Sequence, residues 1–162
     1  MKYSVLVGLF IVGQYSFAAS FWIEPNIVDT EYSVYLESMG VHEIDKSNPI
    51  HRFIPYEFSP YNVTSTAIEV YKGDIEEGNV ITVLVYLSPP FERGLERIND
   101  RFILSFCKSK HGIFYTHRNF VITKASEDNI KEYRRVKLHG TAYEGDGDCS
   151  GNYPNLNPDT HH

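Results

Sequence analysis

The side chains able to do covalent chemistry are few and widely spaced. Ser105-Phe106-Cys107-Lys108 spells S-x-x-K, the spacing that sets a lysine beside a nucleophilic serine in acyl-transfer enzymes. That geometry needs a helix. Here the four residues close the apolar run Arg101 to Cys107, RFILSFC, which reads as a strand, and in a strand positions three apart point to opposite sides. Cys107 with His111 or His117 offers a thiol and an imidazole base, the minimum for nucleophilic catalysis. The competing fate of Cys107 is a disulfide with Cys149, the other of the two cysteines. His42-Glu43 lacks the second histidine of H-E-x-x-H, and no G-x-S-x-G, P-loop or G-x-G-x-x-G is present. His161-His162 have no evident third ligand for zinc. Asp146-Gly147-Asp148-Cys149-Ser150-Gly151 copies the first half of a calcium loop, but Asn157 stands where the bidentate glutamate belongs, which favours a solvated turn. No catalytic, cofactor-binding or metal-ligating residue is assigned from these patterns, and neither enzymatic activity nor a cofactor is expected.

The compartment decides between the two fates of Cys107. The opening MKYSVLVGLFIVGQYSFAAS has Lys2, an apolar run from Val5 to Val12, and small residues after it. Ser16-Phe17-Ala18 fits a signal-peptide cleavage pattern, so residues 1–18 read as a leader removed after Ala18, with Ala19 as the rival position. The apolar run is short for a bilayer span, a retained anchor being the alternative, and no later segment approaches about 18 apolar residues. The chain is therefore expected to be exported, periplasmic or secreted, with no membrane span after cleavage. Export favours the Cys107–Cys149 disulfide. The formal net charge of -6 and pI near 5.6 argue against nucleic acid, which needs clustered cations.

The elements that would position these residues are mostly strands. Thr66 to Leu87, TAIEVYKGDIEEGNVITVLVYL, reads as two strands joined by a polar turn. Glu69 and Tyr71 alternate with Ile68 and Val70 in the first arm. Val80 to Leu87 is apolar on both faces, as a covered strand or barrel wall requires. Gly73 and Gly78 supply the turn. Upstream, Glu31 to His42 alternates as a strand, whereas Pro55 and Pro60 make His51 to Pro60 an edge or loop. Tyr56 and Phe58 in that stretch, with Tyr61 beyond it, are candidate partner contacts; covering the barrel end is their other reading. Asn62-Val63-Thr64 is an N-glycosylation sequon. Ser88 to Asp100 reads as a charged loop, a short helical turn over Glu92, Arg93, Glu96 and Arg97 being the alternative, then Arg101 to Cys107 and Ile113 to Thr116 as a second hairpin, with a short strand near Val121 to Thr123. Ser126 caps a helix over SEDNIKEYRRV, with acids in its first turn and Ile130 and Tyr133 facing inward. Leu138 to Tyr143 reads as a final strand. The tail, residues 144–162, is rich in Gly, Asn, Asp and Pro and reads as irregular, pinned by the disulfide.

About five strands and one short C-terminal helix fit a mainly β domain over residues 19–143, a small five-stranded Greek-key barrel of the oligonucleotide/oligosaccharide-binding (OB) type. A β-sandwich is the alternative. The runs Ile68 to Gly73, Gly78 to Val83 and Arg101 to Phe106 resemble the netrin-like domain of the tissue inhibitors of metalloproteinases, and exported bacterial proteins show a similar layout. The resemblance spans roughly Glu31 to Thr123 and implies an OB-like barrel that binds through its loops. Those inhibitors begin with a zinc-chelating cysteine; this chain has none near Ala19-Ser20-Phe21, so no inhibitory residue carries over. The expected function is a non-enzymatic exported module that meets a protein or glycan through barrel-end loops. The alternatives are metalloprotease inhibition without the N-terminal cysteine, or a hydrolase whose site is too diffuse for motifs.

Overall fold

Alternation along each strand sets which side chains share an interior. A computed structural model describes residues 27, 30–52, 57–116, 122–139 and 149. In β1 (Tyr32–Glu43), Tyr32, Val34 and Leu36 point one way and are buried together. The same period continues in β2 (Ser59–Lys72) through Tyr61, Val63, Ser65 and Ala67. In β3 (Val80–Leu87) it runs through Ile81, Val83, Val85 and Leu87, and in β4 (Arg101–Lys108) through Phe102, Leu104 and Phe106. Period-two apolar faces on four strands can be buried at once if the sheet curls over them.

The pairings make that curl a ring. β1 lies antiparallel between β2 and β4, and β2 lies antiparallel to β3. The two-residue β5 (Phe114–Tyr115) bridges the remaining gap, parallel to β3 and antiparallel to β4. The strand circuit is β1-β2-β3-β5-β4 and back to β1, a small OB-like barrel. The ring is tight at β1–β4, with six residue pairs, and narrow at β3–β5, with two. A further short strand, β6 (Thr123–Lys124), continues along the edge of β4 that β5 occupies. Three register shifts in the β1–β2 ladder, the last between Ser38 and Gly40, let β1 bend to serve both neighbours.

β2 is longer than its sequence suggests, because Pro60 does not stop it. Proline lacks an N–H but keeps its carbonyl, and at the second residue of the strand that carbonyl accepts the Ile44 N–H at 3.0 Å. The ladder to β3 ends at Thr66–Val80, with Ala67 still hydrogen-bonded to Gly78 and Asn79 of the connection, while residues 68–72 run on with β1 as their strand partner. Gly73 and Gly78 take positive φ in the connection. A side chain at Gly73 would also run into the Tyr32 ring. That ring stacks on Phe106 at 5.3 Å and meets Phe114 edge-on at 5.1 Å, plugging this end of the barrel.

Two helices and the second cysteine cover the wall. The segment read as a charged loop is instead α1 (Phe91–Ile98), because Leu95 and Ile98 fall on one face and pack into the open end, Ile98 fully buried. α2 (Glu127–His139) starts where Ser126 Oγ accepts the Asn129 N–H at 3.3 Å, and buries Tyr133 and Val136 against Tyr71, Ile103 and Ile27. This helix runs through Leu138 and His139, so the strand expected from Leu138 to Tyr143 does not begin there; Leu138 is 78% exposed. On the third side, Leu84, Tyr86, Cys107 and Tyr115 form an outer cluster with Cys149 packed on it. Among the described residues no helix is long and apolar enough to cross a membrane. The leader, Tyr56, His117, the Asp146/Asp148 run, Asn157 and His161-His162 lie outside the described residues.

Candidate functional site: a groove at the barrel end

β3 ends in Tyr86 and Leu87 and turns into α1 through Ser88, Pro89 and Pro90, the last two joined by a cis peptide bond. α1 plugs the barrel with Leu95 and Ile98, and its adjoining flank at Gly94 lies against the end of β3. Gly94 permits the approach: a Cβ there would stand 2.8 Å from a terminal carbon of Leu87. Phe58, just ahead of β2, and Ile122, just ahead of β6, close the sides. The result is a groove of about 310 Å³ whose lining includes Phe58, Leu87, Pro90 and Ile122.

Two guanidinium groups rim it. Arg93 and Arg97 stand one helical turn apart, where side chains are neighbours on the same helix flank. Arg97 donates to the Ile122 carbonyl at 3.4 Å, tying α1 to the approach of β6. Arg93 is exposed and has no ion-pair partner among the described residues. Among the described residues no carboxylate lines the groove. Two cations thus stand above an apolar floor on a chain whose net charge is -6.

The opposite end of the barrel has a broader depression of about 520 Å³ between Glu31, Tyr32, Asp74 and Lys108 to Lys110. Its polar groups serve one another. Glu31 accepts the Lys108 backbone N–H at 2.7 Å, and the Lys108 ammonium sits 5.5 Å from the centre of the Phe114 ring. Burial, then the neighbouring Asp74 carboxylate, push the Tyr32 phenol up to about 12. Those contacts hold the strand ends in place and leave less charge for a ligand than the arginine-rimmed groove does.

Of the contact residues expected from sequence, Phe58 lines the groove and is half-buried. Tyr61 does not join it: alternation along β2 turns the ring into the barrel, where it is 6% exposed. That removes Tyr61 from any contact surface. Tyr56 cannot be placed, lying outside the described residues. Cys107 and Cys149 stand at disulfide distance, with 5.5 Å between Cα atoms, and the Tyr115 hydroxyl donates to the Cys149 carbonyl at 3.3 Å. Ser105 and Lys108 fall on opposite faces: the Ser105 hydroxyl pairs with that of Ser33 at 3.0 Å on the outer wall. Among the described residues no three of His, Cys, Asp and Glu gather closely enough to hold a metal ion. Sequence reasoning missed Arg93 and Arg97. Their i, i+4 spacing was visible, but its meaning depended on α1 forming and on which flank it presents.

The most polar contact on the wall is structural. Arg134 on α2 forks onto Glu69 at 2.8 and 2.9 Å, and the Tyr71 hydroxyl approaches the same carboxylate at 3.5 Å. Lys137 donates to the Val70 carbonyl at 2.6 Å. Together these seat α2 across the end of β2. No family model matches the chain, and no curated protein matches it.

Proposed function

We propose that the chain is an exported, non-enzymatic binding module that engages a protein or glycan partner at the barrel end formed by β3, α1 and Phe58. The observation that carries the reading is the groove itself: an apolar floor under two arginines whose charge no described carboxylate takes up. Apolar pockets with a few convergent polar groups are the usual form of a recognition site. The cysteine pair at disulfide distance supports export, since such bonds persist in oxidising compartments. The resemblance to netrin-like domains points the same way, towards recognition by loops at a barrel end.

The test uses Ser88→Trp. Ser88 is exposed on the groove rim, so an indole there obstructs the groove without entering the core. Displayed peptide and glycan libraries are selected on the wild-type protein, and the recovered ligands are titrated against both forms. Ligands that lose at least tenfold in affinity on Ser88→Trp, at an unchanged melting temperature, support the reading. Ligands that bind both forms equally, or turnover in a hydrolase panel, overturn it.

A further inference from the structure

Resting on the reading of this groove as the binding site, we propose that its ligand is an acidic polypeptide segment. The segment inserts an apolar side chain between Phe58, Leu87 and Ile122 while flanking carboxylates pair with Arg93 and Arg97. Three features of the site choose this chemistry over others. First, the floor is hydrocarbon and aromatic ring, with about 310 Å³ of space, enough to admit an apolar side chain and its flanking residues. Second, the rim charges are guanidinium groups, whose planar forks match carboxylates in a bidentate manner. Third, among the described residues the lining carries neither carboxylate nor carboxamide to meet the hydroxyls of a sugar, its polar atoms besides the arginines and backbone being the hydroxyls of Tyr86 and Ser88.

Range matters as well as sign. A chain of net charge -6 does not draw anions from afar, and charges more than a Debye length of about 8 Å apart are largely screened at physiological salt. Recognition of an acidic ligand must therefore be local, made by the two arginines that the ligand touches. Two cations are too few for nucleic acid, where several phosphate contacts supply the affinity. A short peptide with one apolar anchor and carboxylates on either side meets every demand of the groove at once.

The experiment is fluorescence polarisation with a short fluorescein-labelled peptide alternating glutamate and leucine, its glutamine counterpart, and a sulfated disaccharide as competitor. The wild-type protein is expected to bind the glutamate peptide at least tenfold more tightly than the glutamine one, with affinity falling as salt rises. Arg93→Glu together with Arg97→Glu should cost at least tenfold. Arg97 also ties α1 to Ile122, so Arg93→Glu alone is the second variant; among the described residues the Arg93 side chain has no hydrogen-bond or ion-pair partner, and this change should weaken binding severalfold without altering the melting temperature. Equal affinity for the two peptides, or indifference to Arg93→Glu, overturns the inference. So does displacement of the peptide by the sulfated disaccharide at lower concentration than by unlabelled peptide, which would make the ligand a glycan. If library ligands are lost on Ser88→Trp while the acidic peptide never binds, the binding-module reading stands and this inference falls. If Ser88→Trp changes nothing for any ligand, the groove reading itself falls.

Discussion

Breaking the Cys107–Cys149 link should cost the described fold several kcal/mol. The two residues are 42 apart in sequence, and closing a loop of that size removes roughly 4 kcal/mol of conformational freedom from the unfolded chain in the entropy model. In the native state Cys149 is half-buried, packs on the outer cluster and accepts the Tyr115 hydroxyl at its carbonyl. Residual structure in the unfolded chain lowers the figure, so about 3–4 kcal/mol is expected. For a domain of this size each kcal/mol is worth about 3–5 °C, which puts the melting temperature of Cys149→Ser about 10–20 °C below wild type. Circular dichroism melts of oxidised wild type, wild type with reductant, Cys149→Ser and Cys107→Ser separate the contributions. Reductant and Cys149→Ser should agree closely. Cys107→Ser should fall lower, since it also places a hydroxyl at a position with no exposure, between Leu84, Tyr86 and Tyr115. A melting temperature that moves less than about 3 °C on reduction would refute both the link and the loop-entropy argument.

Other perturbations probe the barrel and its cover. Ser65 faces the barrel interior with a hydroxyl oxygen that has no hydrogen-bond partner among the described residues. Ser65→Ala removes an unsatisfied group and should raise stability by about 0.5–1 kcal/mol in urea titrations; a loss of that size would mean the oxygen is satisfied after all. Tyr133 is fully buried beneath α2, 5.1 Å from the Tyr71 ring, so Tyr133→Ala should cost about 3–5 kcal/mol, and a cost under about 1 kcal/mol would mean that α2 does not dock. Burial holds the Tyr32 proton to about pH 12, against 10.0 in the free side chain, and also raises Tyr71. Because the folded state keeps protons that the unfolded chain releases, this stability is complete below pH 10 and is lost as pH rises towards 12. Alkaline unfolding followed by tyrosinate absorbance should therefore be shifted to higher pH in Tyr32→Phe; an unchanged midpoint would count against the buried phenol.

The disulfide and the groove share a wall. Phe58 and Tyr86 line the groove and also belong to the outer cluster on which Cys149 packs. Reduction should therefore loosen the groove floor, and the affinity of any groove ligand should fall under reductant before the barrel melts. The opposite end, where Tyr32, Phe106 and Phe114 interlock, should be unaffected.

Local pattern alone determined the mainly β character, the β2–β3 hairpin glycines, the cap and inward face of α2, and the pairing partner of Cys107. Each depends on periodicity, turn chemistry or residue count within a short window. The doubly apolar run Val80 to Leu87 was legible as a wall, because Leu84 and Tyr86 needed an outer cover as much as Val83 and Val85 needed an interior. A barrel was expected from the strand count, but the pairings that close it were not legible in the chain. That β1 returns to β4, that two residues at Phe114–Tyr115 join β3 to β4, and that Pro60 sits inside a strand are facts of long-range pairing. The same holds for the site. A charged stretch such as FERGLERI becomes a helix only because the barrel end takes in Leu95 and Ile98, and only then do Arg93 and Arg97 rim a groove. Tyr61 and Phe58 look alike in sequence, and the phase of one strand sent the first into the core and left the second at the groove. Sequence carries local preference; which surface each preference meets is set by contacts between residues far apart in the chain.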